Sequence, residues 1–370
     1  MNENTLKYKI GIGLIPKIGP VLAKRLVSYC GSIEGVFREK SRNLSRIPGI
    51  GEKIAGYIVE NDVMEKAEKE VEFMIKNKIK SMFFLDDNYP ERLKHCYDAP
   101  VMIFVKGETD FNREKILCIV GTRNATNYGR DMCNKLVEGL AVNNHNVLII
   151  SGLAYGIDIC AHRAALSNNL ETAAVLGHGH AIIYPPVHYE ISRQIISQGA
   201  LISEFPGNER PERGNFVRRN RIIAGLSDAT VVVESGEKGG ALITADIAGS
   251  YDRDVFAFPG KVNDRYSAGC NKLIKTHRAA LIENYADLEY ILGWQSDHSG
   301  CNINHKKMFA ELTDEENKIL NTIETNSELT IDQVSTGCHM PVSKVSALLL
   351  NLEFKGLVEC LPGKLYKSLT

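Results

Sequence analysis

The chain has 370 residues, of which 44% are apolar and 24% are charged. This length allows one large hydrophobic core with one or two small domains beside it. No apolar run approaches the ~18 residues needed to span a bilayer, and the N-terminus carries charged residues where a secretion signal would be apolar. We therefore expect a cytoplasmic protein with no membrane partner.

The formal net charge of −1 gives no sign of a globally basic surface. Any nucleic-acid binding must therefore depend on local clusters of charge. Residues 1–80 carry 15 Lys and Arg against 10 Asp and Glu, whereas residues 311–370 carry 5 against 9. The front of the chain is basic and the tail is acidic.

The cysteines and histidines give no pattern typical of a metal or redox site. The nine cysteines are scattered, form no C-x-x-C pair, and are predicted to be reduced core thiols: Cys30, Cys96, Cys118, Cys133, Cys160, Cys270, Cys301, Cys338 and Cys360. His178, His180 and His188 have no Cys or carboxylate at ligand spacing and are predicted to be polar loop residues. The sequence thus predicts neither a metal nor another cofactor.

Residues 1–80 are predicted to form a small helical, SAM-like domain. Two breaks in its helical pattern, Ile15–Ala23 and Ile47–Ala55, resemble each other and the turn of a helix-hairpin-helix motif. Glycines let such a turn bend tightly, so that its amide groups and the following helix N-terminus can face a phosphate. The sequence leaves open whether these turns contact DNA or only connect packed helices.

Residues 81–292 alternate short β-rich runs with amphipathic helical stretches. The predicted strands are Ile116–Val120, Val147–Ile150, Thr172–Leu176, Ala200–Ser203, Ala229–Glu234 and Asp254–Phe258. Such alternation is typical of an α/β fold with a doubly wound, mostly parallel sheet. We predict a Rossmann-like core.

The segment 293–310 is predicted to be a linker, and residues 311–370 a winged-helix domain. Thr313 with Glu316 forms a capping-box pattern, and a hairpin is expected around Pro362-Gly363. The expected recognition helix, Ser343–Lys355, contains no arginine that could contact guanine. Together with the acidic charge of the tail, this favours a protein partner, or none, over DNA.

Two glycine-rich loops follow the first two predicted core strands. They span Gly121–Gly129 and Ser151–Asp158, and each offers free amide groups to an anion. Arg123 in the first loop adds a guanidinium group suited to phosphate. In an open α/β sheet, ligands bind where such loops leave the carboxyl ends of the strands. We predict a phosphate-binding site there.

A phosphate site would serve nucleotides as well as DNA. A dinucleotide fold needs a carboxylate at the end of its second strand, but this strand ends in Ile149-Ile150-Ser151, and no P-loop motif occurs. Both observations disfavour NAD and ATP. A nucleotide-processing enzyme of the phosphoribohydrolase type stays open as the alternative, although the loop at Ser235–Gly240 lacks the P-G-G-x-G-T sequence expected of it.

The segment Arg210–Arg221 carries five arginines and one aromatic residue, Phe216, in twelve positions. Guanidinium groups can follow the phosphates of a single strand while a ring stacks on its bases. A further loop, Glu234–Ala241, ends another strand at the same edge and is expected to complete a groove. Some of the arginines must also face inward, toward acidic partners. This segment is the strongest indication of single-stranded DNA binding.

Catalysis has weaker support in the sequence. Asp158 and His162 lie four residues apart on one helix with Ser151 nearby, but nothing shows that the three converge as a catalytic triad must. We therefore expect a protein that holds a strand without altering it, and not an enzyme.

Several ordered motifs together resemble the DprA/Smf family, the DNA-processing protein A family. The segments that carry the resemblance are Val120–Arg123, Ser151–Asp158 with Ala161–Arg163, Asn215–Leu226 and Phe258–Gly260. The resemblance covers essentially the whole chain and is strongest over residues 81–290. It implies a cytoplasmic bacterial homodimer that protects incoming single-stranded DNA in natural transformation and loads RecA recombinase onto it.

The motifs and the resemblance select nearly the same residues for DNA binding. The predicted DNA-binding residues are Gly121, Thr122, Arg123, Asn124, Gly152, Leu153, Arg213, Phe216, Arg218, Arg219, Asn220, Lys238, Gly239 and Gly240. The chain departs from the family pattern at Gly177–His180, at Pro186 and at Thr276–Ala280. These departures affect local detail of the predicted pocket, where one phosphate contact would be missing.

Overall fold

The computed structural model describes residues 3–60, 62–294, 312–326, 329–355, 357–361 and 365–368. The chain forms two compact units, Met1–Ser296 and Asp297–Thr370. The predicted linker 293–310 lies outside the described residues except for Gly293 and Trp294, which are the last described residues of the first unit. No helix of the described residues is long and apolar enough to cross a membrane.

The first unit begins with the predicted helical region. Its helices are α1 (Glu3–Leu14), α2 (Pro20–Cys30), α3 (Ile33–Arg38), α4 (Ser41–Leu44), α5 (Glu52–Glu60) and α6 (Val63–Asn77). Both predicted hairpins are present, between α1 and α2 and between α4 and α5. Gly49 adopts a φ of 87° in the second turn, a conformation that glycine tolerates best.

These helices pack onto the edge of the α/β core. Leu26, Leu44 and Ile58 share one buried apolar cluster with Phe83 and Phe104, which belong to the sheet. The buried Glu70 carboxylate also accepts a hydrogen bond from the Gly207 amide, at 2.8 Å. The helical region and the core therefore form a single compact unit.

The core is a mostly parallel sheet of nine strands among the described residues. They are β1 (Lys80–Phe83), β2 (Met102–Gly107), β3 (Lys115–Val120), β4 (Val147–Ser151), β5 (Thr172–Val175), β6 (Gly199–Ser203), β7 (Ala229–Val232), β8 (Asp254–Ala257) and β9 (Ala280–Leu281). Their order is β1-β2-β6-β5-β4-β3-β7-β8-β9. Only the β1–β2 and β2–β6 pairs are antiparallel.

All six predicted core strands are present, within two residues at each end. The strands β1, β2 and β9 were not predicted from the sequence. The two residues of β9 are too few to show a period, and β2 is an apolar run of four buried residues, which periodicity cannot distinguish from a buried helix.

Helices cover both faces of this sheet. They are α7 (Glu91–Lys94), α8 (Asn127–Val142), α9 (Ile157–Ser167), α10 (Tyr189–Gln198), α11 (Arg213–Leu226), α12 (Gly240–Ser250), α13 (Ala268–Lys275) and α14 (Tyr285–Leu292). Alternate residues of β3 face opposite layers. Ile116 and Cys118 pack with α11 and α12, whereas Leu117 and Ile119 pack with α8, α9 and α14. The predicted doubly wound fold is confirmed.

The second unit has the predicted winged-helix arrangement and an apolar core of its own. Its elements are α15 (Asp314–Asn326), β10 (Leu329–Thr330), α16 (Ile331–Cys338), α17 (Val342–Phe354), β11 (Val358–Leu361) and β12 (Leu365–Ser368). The predicted capping box at Thr313 and Glu316 is present. Pro362-Gly363 lies outside the described residues, but β11 and β12 on either side pair antiparallel.

Acidic residues of α15 neutralise both lysines at the predicted recognition helix. Lys344 pairs with Glu315, and Lys355 lies 2.7 Å from the Glu316 carboxylate.

Seven cysteines with described side chains are free thiols, as predicted: Cys30, Cys96, Cys118, Cys133, Cys160, Cys270 and Cys338.

Candidate nucleic-acid interface

An open cleft of about 1160 Å³ lies at the carboxyl ends of β3 and β7. These strands are neighbours, and the sheet grows from them in opposite directions, toward β4 on one side and β8 on the other. Such a switch point leaves a crevice because its loops diverge. The volume exceeds the ~300–1,000 Å³ typical of small-molecule pockets. The cleft is large enough for a polymer segment.

The loop after β3 places Arg123 on the cleft wall. The Thr122 amide donates to the Glu234 carbonyl at 2.7 Å, and the buried Glu234 carboxylate accepts from the amide and hydroxyl of Thr126 at 2.9 and 2.5 Å. Thr126 also caps α8. Glu234 thus connects the β3 and β7 loops, leaving the Arg123 side chain exposed.

The second glycine loop, after β4, packs directly against the first. Gly156 has a φ of 79°, and a Cβ there would lie 2.1 Å from the Thr122 carbonyl oxygen. The same oxygen accepts a hydrogen bond from the Ile157 amide at 3.1 Å. Because only glycine fits this contact, the two loops hold each other in place.

A buried ion pair forms part of the cleft floor. Arg219 donates to the Val175 carbonyl, and its guanidinium lies 3.9 Å from the carboxylate of Asp158. Asp158 also accepts hydrogen bonds from the amides of Gly152 and Ala154. Burial raises the pKa of Asp158, while Arg219 and these amides oppose the rise. The pair braces the β4 loop against α11.

The first turns of α11 contribute a cation and a ring to the cleft. Arg213 is exposed, and Phe216 lies half-buried against the Tyr184 ring, with centroids 5.6 Å apart. Phe216 also covers Gly177, where a Cβ would lie 2.7 Å from the ring. The Gly177–His180 departure in the sequence therefore lies under the aromatic part of the cleft.

The β7 loop and a neighbouring loop close the far side of the cleft. Lys238 is exposed just before α12, and Gly239 and Gly240 line the cleft beside it. The Ser235 amide donates to the Tyr266 carbonyl at 2.7 Å. Through this contact the loop that carries Arg265 and Tyr266 lies against the β7 loop and lines the cleft. Neither residue was predicted from the sequence. The signal in the sequence is a cation next to an aromatic residue, and in the structure the Arg265 guanidinium lies 5.9 Å from the centroid of the Tyr266 ring.

The cleft is positively charged. Its exposed cations are Arg123, Arg213, Lys238 and Arg265, and none has a carboxylate at salt-bridge distance among the residues that the structure describes. The carboxylates in the lining are Glu237 and Asp158, the latter occupied by Arg219. Such unpaired cations favour an anionic ligand.

Most predicted DNA-binding residues line this cleft: Gly121, Thr122, Arg123, Asn124, Arg213, Phe216, Arg219, Asn220, Lys238, Gly239 and Gly240. The other three do not. Leu153 is fully buried in an apolar cluster below α10, and Gly152 is covered by the Arg219 guanidinium, which a Cβ there would approach to 2.1 Å. Arg218 lies 2.8 Å from the Glu204 carboxylate, outside the cleft lining.

Three arginines of α11 have the acidic partners expected from the sequence: Arg219 and Arg221 are buried, whereas Arg218 stays exposed. Arg221 shares Glu204 with Arg218, and burial raises the pKa of Glu204 while both arginines lower it. The Arg278 side chain, at another departure from the family pattern, pairs with Asp246 on α12.

The triad candidates do not converge. The Ser151 hydroxyl donates to the Ile119 carbonyl at 2.6 Å, and His162 Nδ1 lies 2.7 Å from the Thr172 hydroxyl. Burial lowers the pKa of His162 to about 3. Asp158 is instead engaged by Arg219.

The three loop histidines each bond to a separate carbonyl. His178 contacts Gly179, His180 contacts Phe104 and His188 contacts Leu153, at 2.8 to 3.0 Å. The described part of the chain contains no group of three His, Cys, Asp or Glu side chains that could hold a metal.

Comparison with known proteins identifies families for all three regions. Residues 80–292 match the family DNA recombination-mediator protein A, residues 309–364 the DprA winged helix domain, and residues 13–61 the SAM-like helix-hairpin-helix tandem. Protein Smf of Synechocystis sp. is 35% identical over 74% of this chain and 69% of its own length. The putative DNA processing protein DprA of Mycobacterium tuberculosis is 31% identical over 85% and 84%.

Two solved structures share the fold. DNA processing protein A (DprA) from Streptococcus pneumoniae superposes with a TM-score of 0.63 and 32% identity, over 78% of this chain and 97% of that one. The protein of the same name from Helicobacter pylori, solved to study its single-stranded DNA binding mode, gives a TM-score of 0.53 and 27% identity over 59% and 96%. With the family match across the whole core, these likenesses show that the chain belongs to the DNA recombination-mediator protein A (DprA/Smf) family.

Proposed function

We propose that this protein binds single-stranded DNA in the cleft between β3 and β7 and protects it without altering it chemically. In this proposal it is a cytoplasmic homodimer that transfers incoming DNA to a RecA recombinase during natural transformation. The observation that carries the proposal is a single cleft whose lining combines the exposed cations Arg123, Arg213, Lys238 and Arg265 with the Phe216 and Tyr184 rings.

The combination of groups favours a single strand over a duplex. Cations that follow phosphates would bind either form, but rings stack on bases only where the bases are unpaired. Phe216 and Tyr184 both line the cleft and contact each other, with centroids 5.6 Å apart, and so offer an aromatic surface to unpaired bases. The DNA-binding mode named for the Helicobacter pylori relative agrees with this choice.

The recombinase, the homodimer and the role in transformation rest on family membership. The winged helix supports a partner role, because Glu315 and Glu316 engage both lysines of its predicted recognition helix. A helix with neutralised cations is poorly suited to phosphate and better suited to a protein contact.

The triple variant Arg123→Ala/Arg213→Ala/Lys238→Ala tests the DNA site. We expect fluorescence anisotropy with an oligo-dT to show affinity reduced on the order of 100-fold, with a salt dependence about two units shallower because three phosphate contacts are lost. The matched control removes three exposed lysines outside the cleft, Lys69, Lys80 and Lys135. Equal affinity of the two triple variants would refute the site assignment.

Two further readouts test the remaining proposals. The bound oligonucleotide should be recovered at full length on a denaturing gel after prolonged incubation, whereas shortened strands would show an enzymatic activity. RecA filament assembly on single-stranded DNA should accelerate with the wild-type protein and much less with the triple variant. Equal acceleration by the two proteins would show that recombinase loading does not depend on this cleft.

A further inference from the structure

Three exposed apolar side chains form a second surface beside the cleft. Tyr155 in the β4 loop is 48% exposed, Val187 is 67% exposed and Tyr189 is 54% exposed. We call these three residues the tyrosine ledge. None of them lines the cleft or is among the fourteen predicted DNA-binding residues, although Tyr155 belongs to the Ser151–Asp158 loop. A group of exposed rings at the ligand-binding edge of an α/β sheet is typical of an interaction site.

The ledge continues the cleft wall along two segments of chain. Ala154 lines the cleft, and Tyr155 is the next residue. Tyr184 also lines the cleft, and its loop leads directly to Val187 and Tyr189. Gly156 then packs against the backbone of Arg123, where a Cβ would lie 2.7 Å from the Arg123 carbonyl oxygen. The ledge therefore adjoins the end of the cleft that carries Arg123.

His188 holds the ledge in a fixed arrangement. Its buried ring lies edge-on to Tyr155, with centroids 5.1 Å apart and planes inclined by 63°. His188 Nδ1–H donates to the Leu153 carbonyl at 2.8 Å, so the ring is bonded to the same loop that carries Tyr155. Tyr155 therefore presents its ring without the loss of side-chain freedom that an unsupported tyrosine would incur on binding.

The charges beside the ledge suit a nucleic acid. Arg163 is exposed on α9 and close enough to His188 to lower its pKa, although burial is the larger cause of that shift. Arg193 is exposed on α10, one turn beyond Tyr189, and 3.7 Å from the Glu190 carboxylate, its neighbour on that helix. Arginine beside exposed rings is the combination that a single strand requires.

We propose that the tyrosine ledge is a second contact for the same DNA strand, where bases leaving the cleft stack on Tyr155 and Tyr189 while Arg163 contacts their phosphates. This inference rests on the proposed function of the cleft and extends the length of strand bound. A protein partner is the other class of occupant for an exposed aromatic surface, but continuity with the cationic cleft favours DNA.

The test compares oligonucleotides of two lengths. A strand of about 6 nucleotides fits within the cleft, and one of about 20 reaches the ledge, since one binding module typically covers ~4–16 nucleotides. Tyr155→Ala/Tyr189→Ala should bind the short strand like wild type and the long strand about 10- to 100-fold more weakly. Tyr155→Phe/Tyr189→Phe should restore the long-strand affinity, because stacking needs the ring and not the hydroxyl.

The control variant Tyr97→Ala/Tyr290→Ala removes two tyrosines that are 73% and 75% exposed and lie outside the cleft and ledge. It should bind both strands normally. If the alanine ledge variant binds the long strand like wild type, the ledge proposal is overturned in favour of a protein contact. Equal weakening of both strands also overturns it as a separate contact. Failure of wild type to bind either strand overturns the proposed function itself.

Discussion

Arg219 lies in the floor of the cleft, where it positions other groups. It is buried, bonded to the Val175 carbonyl and paired with Asp158, whose carboxylate holds two amides of the β4 loop. The exposed Arg123 and Arg213 carry the phosphate-binding role in our proposal. These residues therefore require different tests, because loss of Arg219 would affect folding and DNA binding together.

Arg219→Ala should destabilise the first unit by about 3–5 kcal/mol, because it leaves the Asp158 carboxylate buried without its partner. Arg123→Ala removes an exposed side chain and should change stability by less than about 0.5 kcal/mol. Urea unfolding of both variants measures the difference. Equal unfolding free energies for the two variants would show that the buried pair does not support the fold.

His162 should make the stability of the first unit depend on pH. Burial lowers the pKa of His162 to about 3 in the folded protein, below the unfolded value of about 6.5. Its stabilising contribution is therefore complete above pH 6.5 and is lost as the pH falls toward 3. At pH 5 the loss amounts to about 2 kcal/mol.

The variant His162→Asn cannot take up this proton. The fall in unfolding free energy between pH 7.5 and pH 5 should be about 2 kcal/mol smaller in this variant than in wild type. His277→Asn is the control, because His277 is exposed and its φ of 55° is one that asparagine tolerates. A wild-type pH dependence in His162→Asn would contradict the assignment.

At the scale of elements, the binding edge depends on loops that fix one another. Glu234 connects the β7 loop to the β3 loop, and Gly156 closes the β4 loop against Thr122. The loops after β3, β4 and β7 were all predicted from the sequence, but the contacts that join them were not. The cleft is therefore an assembly of several loops, and a change in one should displace Arg123 in another.

Gly156→Ala tests this coupling. The substitution places a Cβ 2.1 Å from the Thr122 carbonyl at a φ of 79°, and should cost about 2 kcal/mol or more as well as weakening oligo-dT binding. Gly214→Ala, within α11 and with no atom within 4 Å of its Cβ, should instead gain about 0.5 kcal/mol. Denaturant unfolding and anisotropy measure both effects. Normal DNA binding by a folded Gly156→Ala protein would argue against coupled loops.

At the scale of the whole molecule, the chain combines two units with separate cores. The first contains the cleft, and the second buries Ile319, Val334 and Leu349 in a cluster of its own. The acidic second unit adds little that would attract phosphate. The units should therefore be separable in function.

Deleting residues 297–370 should leave oligo-dT affinity within about twofold of wild type, because no counterion release is lost with an acidic unit. Recombinase loading, measured on the same preparation, should fall if the winged helix contacts a protein partner. A large loss of DNA affinity would instead assign the winged helix to the DNA site. Unchanged loading would contradict a partner role in this step.

The sequence by itself determined the fold class of each region and the six central strands of the core, but not the strands β1, β2 and β9 at the two ends of the sheet. Apolar runs with β-branched residues gave the six central strands, and the Thr313–Glu316 and Gly49–Gly51 patterns located a helix start and a hairpin. These features depend on local burial and backbone preference, which neighbouring residues decide. The carboxyl ends of parallel strands meet at one edge of a sheet, so the loops that follow the strands were expected to form one site. Eleven of the fourteen predicted site residues do line the cleft.

Only the tertiary structure decided which of these side chains remain available to a ligand. Arg218, Arg219 and Arg221 lie in one helix, yet their carboxylate partners are Glu204 and Asp158, far away along the chain. Leu153, which was predicted to contact DNA, is buried in an apolar cluster. Arg265, which was not predicted, lies in a loop distant in sequence and lines the cleft. A local pattern shows that a residue is charged or apolar. Its partners, and hence its role, depend on contacts that form only when the sheet is assembled.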